Sequence, residues 1–517
     1  MTRIIVLVSF MLASMTAVQA AELKLATLFS DHMVLQRDKP VPVWGWANAG
    51  EQVTVSFGSQ KKAAIADAAG KWMAKLDPMP ASAEPRELQV SSTSNQQPVT
   101  VKDVLVGEVW LGSGQSNMAM NVGRARDFEA EKAAATLPLI RMFKEGSGVA
   151  ETLQADAKGQ WEVCSPETVE GFSATLFFFG REVHRSLGIP VGLINSSVGG
   201  TPIESWVAGE AQARVPELKA FLDAESKTAA AFDETAAKAD YEKALARWQA
   251  LAAKAKAAGK PQPRKPRDPL LQRSRRGGLG GLFNGKIAPL IPYALRGAVW
   301  YQGEANSRPG KGPLYQHQLP LLVNDWRARW GEELPFAWVQ LPNIGNKDDD
   351  WMLVREAMLK TLRLPHTGMA ITVDIGESGN IHPKNKQEVG RRLSLWALGE
   401  VYGQKVAATS GPLPGKPEVR GAEIVIPFTH AEGGLQGKGG ELKGFVIAGE
   451  DRQWKPAAAR IAGDTVIVSR PEVKKPVAVR YAWAVDPECN LCNGAGLPAS
   501  PFRSDDWAVP SVGQAQK

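Results

Sequence analysis

Val109-Trp110-Leu111-Gly112-Ser113-Gly114-Gln115-Ser116-Asn117-Met118 begins as a buried strand and ends as a turn. The apolar run Val104–Leu111 leads into a Gly-rich segment, and Ser116 falls where the chain turns into a helix. A nucleophilic serine needs such a place, because backbone N–H groups exposed at the turn can stabilise the oxyanion of a tetrahedral intermediate. Gly, Ser and Asn are also ordinary turn residues, so this stretch alone leaves a plain turn open. Outward from it, Ile189–Ile194, Leu295–Tyr301, Pro335–Leu341 and Met369–Val373 repeat the short apolar run, with helical stretches after them. That alternation predicts an α/β domain over residues 106–403. Several runs end in small or polar residues, and ligand sites form at the ends of parallel strands.

The flanks read differently. Val41, Val43, Val53, Val55 and Phe57 alternate with other residues, which predicts a β-sandwich over residues 21–105. Short β-rich runs separated by Gly, Pro and Asp return after residue 404 and predict a second sandwich to about residue 510. Inside the α/β region an insert at about 209–277 carries Tyr241, Leu245 and Trp248 on one helical face, so it should be a helix or hairpin packed on the domain or a partner. Residues 1–20 have a basic start, an apolar stretch and small residues before Ala21, the pattern of a secretory signal. The expected mature chain is exported, periplasmic and without a membrane span.

The 517 residues carry a net charge of +7, with 44% hydrophobic residues, which excludes a largely disordered chain. Nine of the basic residues lie between Lys254 and Arg276 with Asp268 as the one acid, and no aromatic residue interleaves them. A nucleic-acid surface would want those aromatics, so this run reads as a solvated loop. With only three cysteines, a disulfide scaffold is excluded; Cys489 and Cys492 are spaced for a small disulfide, and Cys164 reads as a lone buried thiol. His184 reads as a helix residue, and His317 and His366 lack partners at metal spacing, so no metal is expected.

Three further segments accompany the first. Asn195 to Trp206 carries Gly199-Gly200-Thr201-Pro202-Ile203-Glu204-Ser205-Trp206 after a strand; Trp300-Tyr301-Gln302-Gly303-Glu304 follows another; Ile381-His382-Pro383-Lys384-Asn385-Lys386 precedes a helix with Val389, Leu393 and Trp396 on one face. His382, in a loop before a helix, is placed as a general base over a strand-end site. Together these four segments resemble the sialate O-acetylesterases and related carbohydrate acetylesterases of the SGNH-hydrolase superfamily. The resemblance runs from about Leu23 to Trp507, and the insert is its least similar part.

The resemblance implies a three-layer α/β/α catalytic domain with a parallel sheet, flanked by β-sandwich domains. It implies a serine esterase that removes O-acetyl groups from carbohydrates through an acetyl-enzyme and needs no cofactor. Ser116 would be the nucleophile and His382 the base. The backbone N–H groups of Ser116 and Gly199 and the side chain of Gln302 would form the oxyanion hole. The acid departs from the superfamily's Asp-x-x-His, because Gly379 stands three residues before His382. Glu304, Asp374, Glu377 or a backbone carbonyl could orient the imidazole. Trp206 and Trp300 could stack on a sugar or belong to the core. An acetylated carbohydrate is the expected partner; nucleic acid is not. A second reading is a non-catalytic carbohydrate-binding protein with a decayed hydrolase core, which the missing acid favours and the intact Ser116, Gln302 and His382 oppose.

Overall fold

One sixteen-residue strand, Val99–Gly114 (β1), ties the N-terminal region to the centre of the molecule in the computed structural model, which describes residues 23–95, 97–345 and 350–509. The proposed export signal lies outside those residues. The first part of β1 pairs antiparallel with Ser82–Ser92, in the sheet that also holds Gln52–Phe57. Its last part runs down the middle of the central sheet. The boundary expected at residue 105 therefore falls within one strand. A single apolar cluster reaches from Leu23 to Val373 across it.

The central sheet adds Leu137–Glu145 (β2), Gly159–Cys164 (β3), Val191–Ser197 (β4), Gly297–Tyr301 (β5), Phe336–Val339 (β6) and Thr367–Ala370 (β7). Their order is β3-β2-β4-β1-β5-β6-β7, and every neighbouring pair is parallel except β3 with β2. The register decides where the chemistry goes. Ser197 and Tyr301, the last residues of β4 and β5, both lie opposite Gly114, the last of β1. The next residues of all three strands thus emerge side by side at the carboxyl edge, the place where open α/β sheets bind ligands.

Helices pack on the sheet as their stripes require. Ala174–Leu187 is capped by the Ser173 hydroxyl, which accepts from the Leu176 N–H, and stops at Gly188 with φ 68°. Its Phe177, Phe178 and Phe179 share a cluster with Val389, Leu393 and Trp396 of the helix Lys386–Trp396, which pack against them as their periodicity predicts. Burying each such side chain contributes about 1.5–3 kcal/mol. The insert's two long helices are Lys219–Ala230 and Glu234–Ala257, and the basic run after them, expected to be a loop, turns helical again at Pro269–Arg276. Only Ala252 of the longer one is buried; Trp248 turns its indole N–H to the Pro263 carbonyl of the returning basic segment.

From residue 413 onward, β structure returns as expected. Glu423–Thr429 and Thr465–Ser469 pair in one sheet, Phe445–Gly449 and Pro476–Tyr481 in another, and Ile426, Ile447, Val468 and Val479 meet between them. Cys489 and Cys492 are free thiols, so the small disulfide considered from their spacing is not formed. Among the described residues no helix is long and apolar enough to cross a membrane.

Candidate active site

Ser116 opens a single helical turn, Ser116–Ala119, directly beyond β1. The turn is fixed from both sides: the Gln115 N–H donates to the Tyr301 carbonyl at 3.0 Å, and the Val198 N–H donates to the Gly114 carbonyl at 3.0 Å. Gly114 has φ 135°, and a Cβ there would meet the Tyr301 oxygen at 2.2 Å, so only glycine lets the strand end so close to its neighbour. The loop after β4 brings Gly199 to Ser116; a Cβ on Gly199 would stand 3.5 Å from the Ser116 Cβ. The first N–H groups of a helical turn have no partner within it. The Ser116 amide is therefore presented at the same edge as Gly199.

Gln302 is fully buried, and its side chain is committed on every side. Its amide donates to the Thr201 carbonyl at 3.1 Å and to Asn306 Oδ1 at 2.7 Å, while the Tyr315 hydroxyl donates to its Oε1 at 3.0 Å. Both amide hydrogens are taken, which differs from the free donor expected of an oxyanion hole. What the residue does in this structure is pin the 198–203 loop that carries Gly199. Asn306 anchors the same loop further along, where it accepts from the Ile203 N–H and donates to Glu204.

Trp206 and Trp300, considered as sugar platforms, are fully buried and stack edge to face with ring centroids 6.0 Å apart. Their indole N–H groups donate to Thr201 Oγ1 and to the Tyr315 hydroxyl. Neither ring has a face open to a ligand, because the strand and loop ends close over them; they belong to the core.

The loop from residue 371 to 385 carries His382 to the edge. Its turn is held by Glu377, which accepts from the Lys384 N–H and from the Asn380 amide, and by Asn380, whose Oδ1 accepts from the His382 N–H at 3.0 Å. Asp374 is bound by the Arg392 guanidinium. Two of the three acids weighed from the sequence thus shape the loop or pair elsewhere. Glu304, the third, is buried and accepts from the Asn117 amide at 2.5 Å. Among the described residues no carboxylate lies within 4.0 Å of the His382 ring. Burial, then Arg124 and Lys386, hold its pKa below the ordinary 6.5.

Because Glu304 meets Asn117, Glu304→Gln is expected to lower kcat on p-nitrophenyl acetate by about 10-fold, the scale of one charge-assisted hydrogen bond. A triad acid is worth up to about 10⁴-fold. Steady-state kinetics on the purified variant decide, and a loss near the larger figure would make Glu304 the acid that orients His382.

Two buried polar side chains that meet here drew no role from the sequence, although both stand inside the four motifs. Asn117 follows Ser116, and Lys386 stands four residues after His382 at the start of its helix. Lys386 is fully buried, and burial pulls its pKa down to about 7 against the raising effect of Glu304 and Glu377. A pocket of about 100 Å³ opens between Gly200, Pro202, Ala305, Arg308 and Lys311, on the segments that follow Gly199 and Glu304. The insert reaches it through Glu225, which pairs with Lys311 at 3.1 Å. Among the described residues no cluster of three His, Cys, Asp or Glu side chains is arranged to hold a metal.

The chain is similar to known proteins along most of its length. A family model described as carbohydrate esterase, sialic acid-specific acetylesterase, matches residues 106–257 and 286–398. The sialate O-acetylesterase of Rattus norvegicus is 30% identical over 93% of this chain and 94% of its own, and that of Homo sapiens is 29% identical over 93% and 92%. The crystal structure of XAC1771, a carbohydrate acetylesterase from Xanthomonas citri, superposes with a TM-score of 0.79 at 34% identity, over 94% of this chain and all of that one. With its strand-end serine, its glycine loop and its histidine loop in the matched segments, the chain belongs to the sialic acid-specific acetylesterase family of carbohydrate esterases.

Proposed function

We propose that this carboxylic ester hydrolase removes O-acetyl groups from carbohydrates with Ser116 as nucleophile and His382 as base, through an acetyl-enzyme. The observation that carries this reading is the register of β4, β1 and β5, which delivers Gly199, Ser116 and the Gln302–Glu304 segment to one edge. His382 takes the Ser116 hydroxyl proton as the oxygen attacks the acetyl carbonyl, and the imidazolium then protonates the departing sugar oxygen. In the second half the neutral ring activates water against the acetyl-serine. The Ser116 and Gly199 amides supply the oxyanion donors, and Gln302 holds the glycine loop in place. Export to the periplasm rests on the pattern of residues 1–20 alone.

The pocket beside Gly200 is the proposed sugar site, and its chemistry favours an acidic sugar such as a sialate. Arg308 is exposed at its rim, with no carboxylate within 4.0 Å among the described residues, while Lys311 is already shared by Glu204 and Glu225. Such a guanidinium fits a carboxylate in two-point contact. Acetate release from O-acetylated sialate and from a neutral acetylated glycan tests this. Arg308→Ala is expected to raise KM about 10-fold for the sialate and leave the neutral substrate unchanged, the scale of one charge-assisted contact. Equal effects on both would remove the acidic-sugar reading, and no acetate release from either would remove the esterase reading.

A further inference from the structure

Behind Ser116 and His382 lies a buried polar chain that the reaction steps above do not use. Lys386 Nζ donates to Asn117 Oδ1 at 2.6 Å and sits 5.1 Å from the centre of the Tyr301 ring. The other end of the Asn117 amide donates to Glu304 Oε1 at 2.5 Å and to the Ile381 carbonyl at 3.0 Å. Lysine, as a donor, requires an oxygen opposite it, whereas a carboxylate and a carbonyl require a donor. The three partners therefore fix which way round the amide stands. Asn117 is the residue after the nucleophile, and Ile381 is the residue before the base. One side chain thus joins the two segments whose relative position the reaction needs.

Packing alone does not account for Lys386. The side chain is fully buried, and among the described residues no carboxylate lies within 4.0 Å of its ammonium. Burying a charge is costly unless it is hydrogen-bonded. A methionine would fill the same space without that cost.

We propose that Lys386 and Asn117 are positioning residues of the hydrolysis: Lys386 locks the Asn117 amide, and Asn117 holds the Ser116 turn against the His382 loop. The inference rests on the reading of Ser116 and His382 as nucleophile and base. The Lys386 charge has a second consequence, because it stands near the base. The charged groups acting at this place are Arg124 from the turn Val122–Arg124, Lys386 from its helix, Glu304 from the segment after β5 and Glu377 from the histidine loop. Removing one cation from this set makes the imidazolium easier to form.

The test is kcat and KM on p-nitrophenyl acetate, followed across pH, for wild type, Lys386→Met, Asn117→Ala, the double variant and Ser116→Ala. This substrate has no sugar, so pocket contacts drop out. Each single substitution is expected to lower kcat by about 10²-fold, the scale of a small misplacement of reacting groups, with KM nearly constant. The double variant should be little worse than either single, because both act through one amide. The acid limb of kcat/KM should move to higher pH in Lys386→Met and stay in place in Asn117→Ala, which keeps the charge. Wild-type kcat in either folded variant, losses that multiply in the double, or an unmoved limb in Lys386→Met would overturn the proposal. Should Lys386→Met fail to fold, Asn117→Ala decides by its kcat alone. Ser116→Ala separates the two levels: if it is inactive while the others match wild type, the positioning role fails and the nucleophile stands. If it is active, the nucleophile itself fails.

Discussion

Ser116→Ala is expected to lower kcat for acetate release by about 10³-fold or more, with KM little changed. The size follows from what the alanine leaves behind. On the proposed reading the Ser116 and Gly199 amides would still face the acetyl carbonyl, and the pocket beside Gly200 would stay intact, so binding should persist. What goes is the attacking oxygen, and with it the acetyl-enzyme. The fold should not notice: Ser116 begins a four-residue turn held by Gln115 and Gly114 backbone bonds, which alanine keeps. Acetate release by the purified variant checks this, with thermal melting as control. Turnover close to wild type would remove Ser116 as nucleophile.

His382→Ala is expected to cost as much, and the double variant little more than either single, because nucleophile and base act as a unit. The base also sets the pH dependence. The ring must be proton-free to accept the serine proton, and burial, Arg124 and Lys386 all disfavour the imidazolium. Its pKa therefore lies below the ordinary 6.5, so kcat/KM should rise with pH along a limb centred below that value and level off above it. The same cations oppose the imidazolium formed during reaction; the buried Glu304 carboxylate, across Asn117, has the sign that offsets them. A pH profile of kcat/KM on p-nitrophenyl acetate reads the limb directly. A limb centred above the ordinary histidine value, or full activity in His382→Ala, would contradict the assignment.

The architecture was legible because apolar patterning states it locally. The run Leu295–Tyr301 marks the buried strand Gly297–Tyr301, and the stripe of Val389, Leu393 and Trp396 marks a helix face that packs on Ala174–Leu187. The long strand across residue 105 was not legible, since the change of pattern there marks a change of neighbours rather than an end of the element. Trp206 and Trp300 show a different limit. An indole beside a glycine loop suits a sugar or a core equally, and the full burial of both rings, with Thr201 and Tyr315 accepting from their N–H groups, decides for the core. Gln302 was read from its position as a donor to the oxyanion. Its partners, Thr201 and Asn306, come from a different loop and from the turn that follows its own, and pairing of that kind leaves no mark in a motif. The acid was illegible for the same reason, because Asp374, Glu377 and Glu304 differ by what they meet: Arg392, Lys384 and Asn380, and Asn117.

Whether Ser116 carries the acetyl group is read most directly by covalent labelling with a fluorophosphonate, followed by peptide mapping. The reagent phosphonylates an activated serine and is not released. One label per chain is expected, on Ser116, with activity lost in proportion to labelling and with no label on that residue in His382→Ala. Activity that survives complete labelling of Ser116, or that disappears with the label on another residue, would contradict a serine nucleophile at this position.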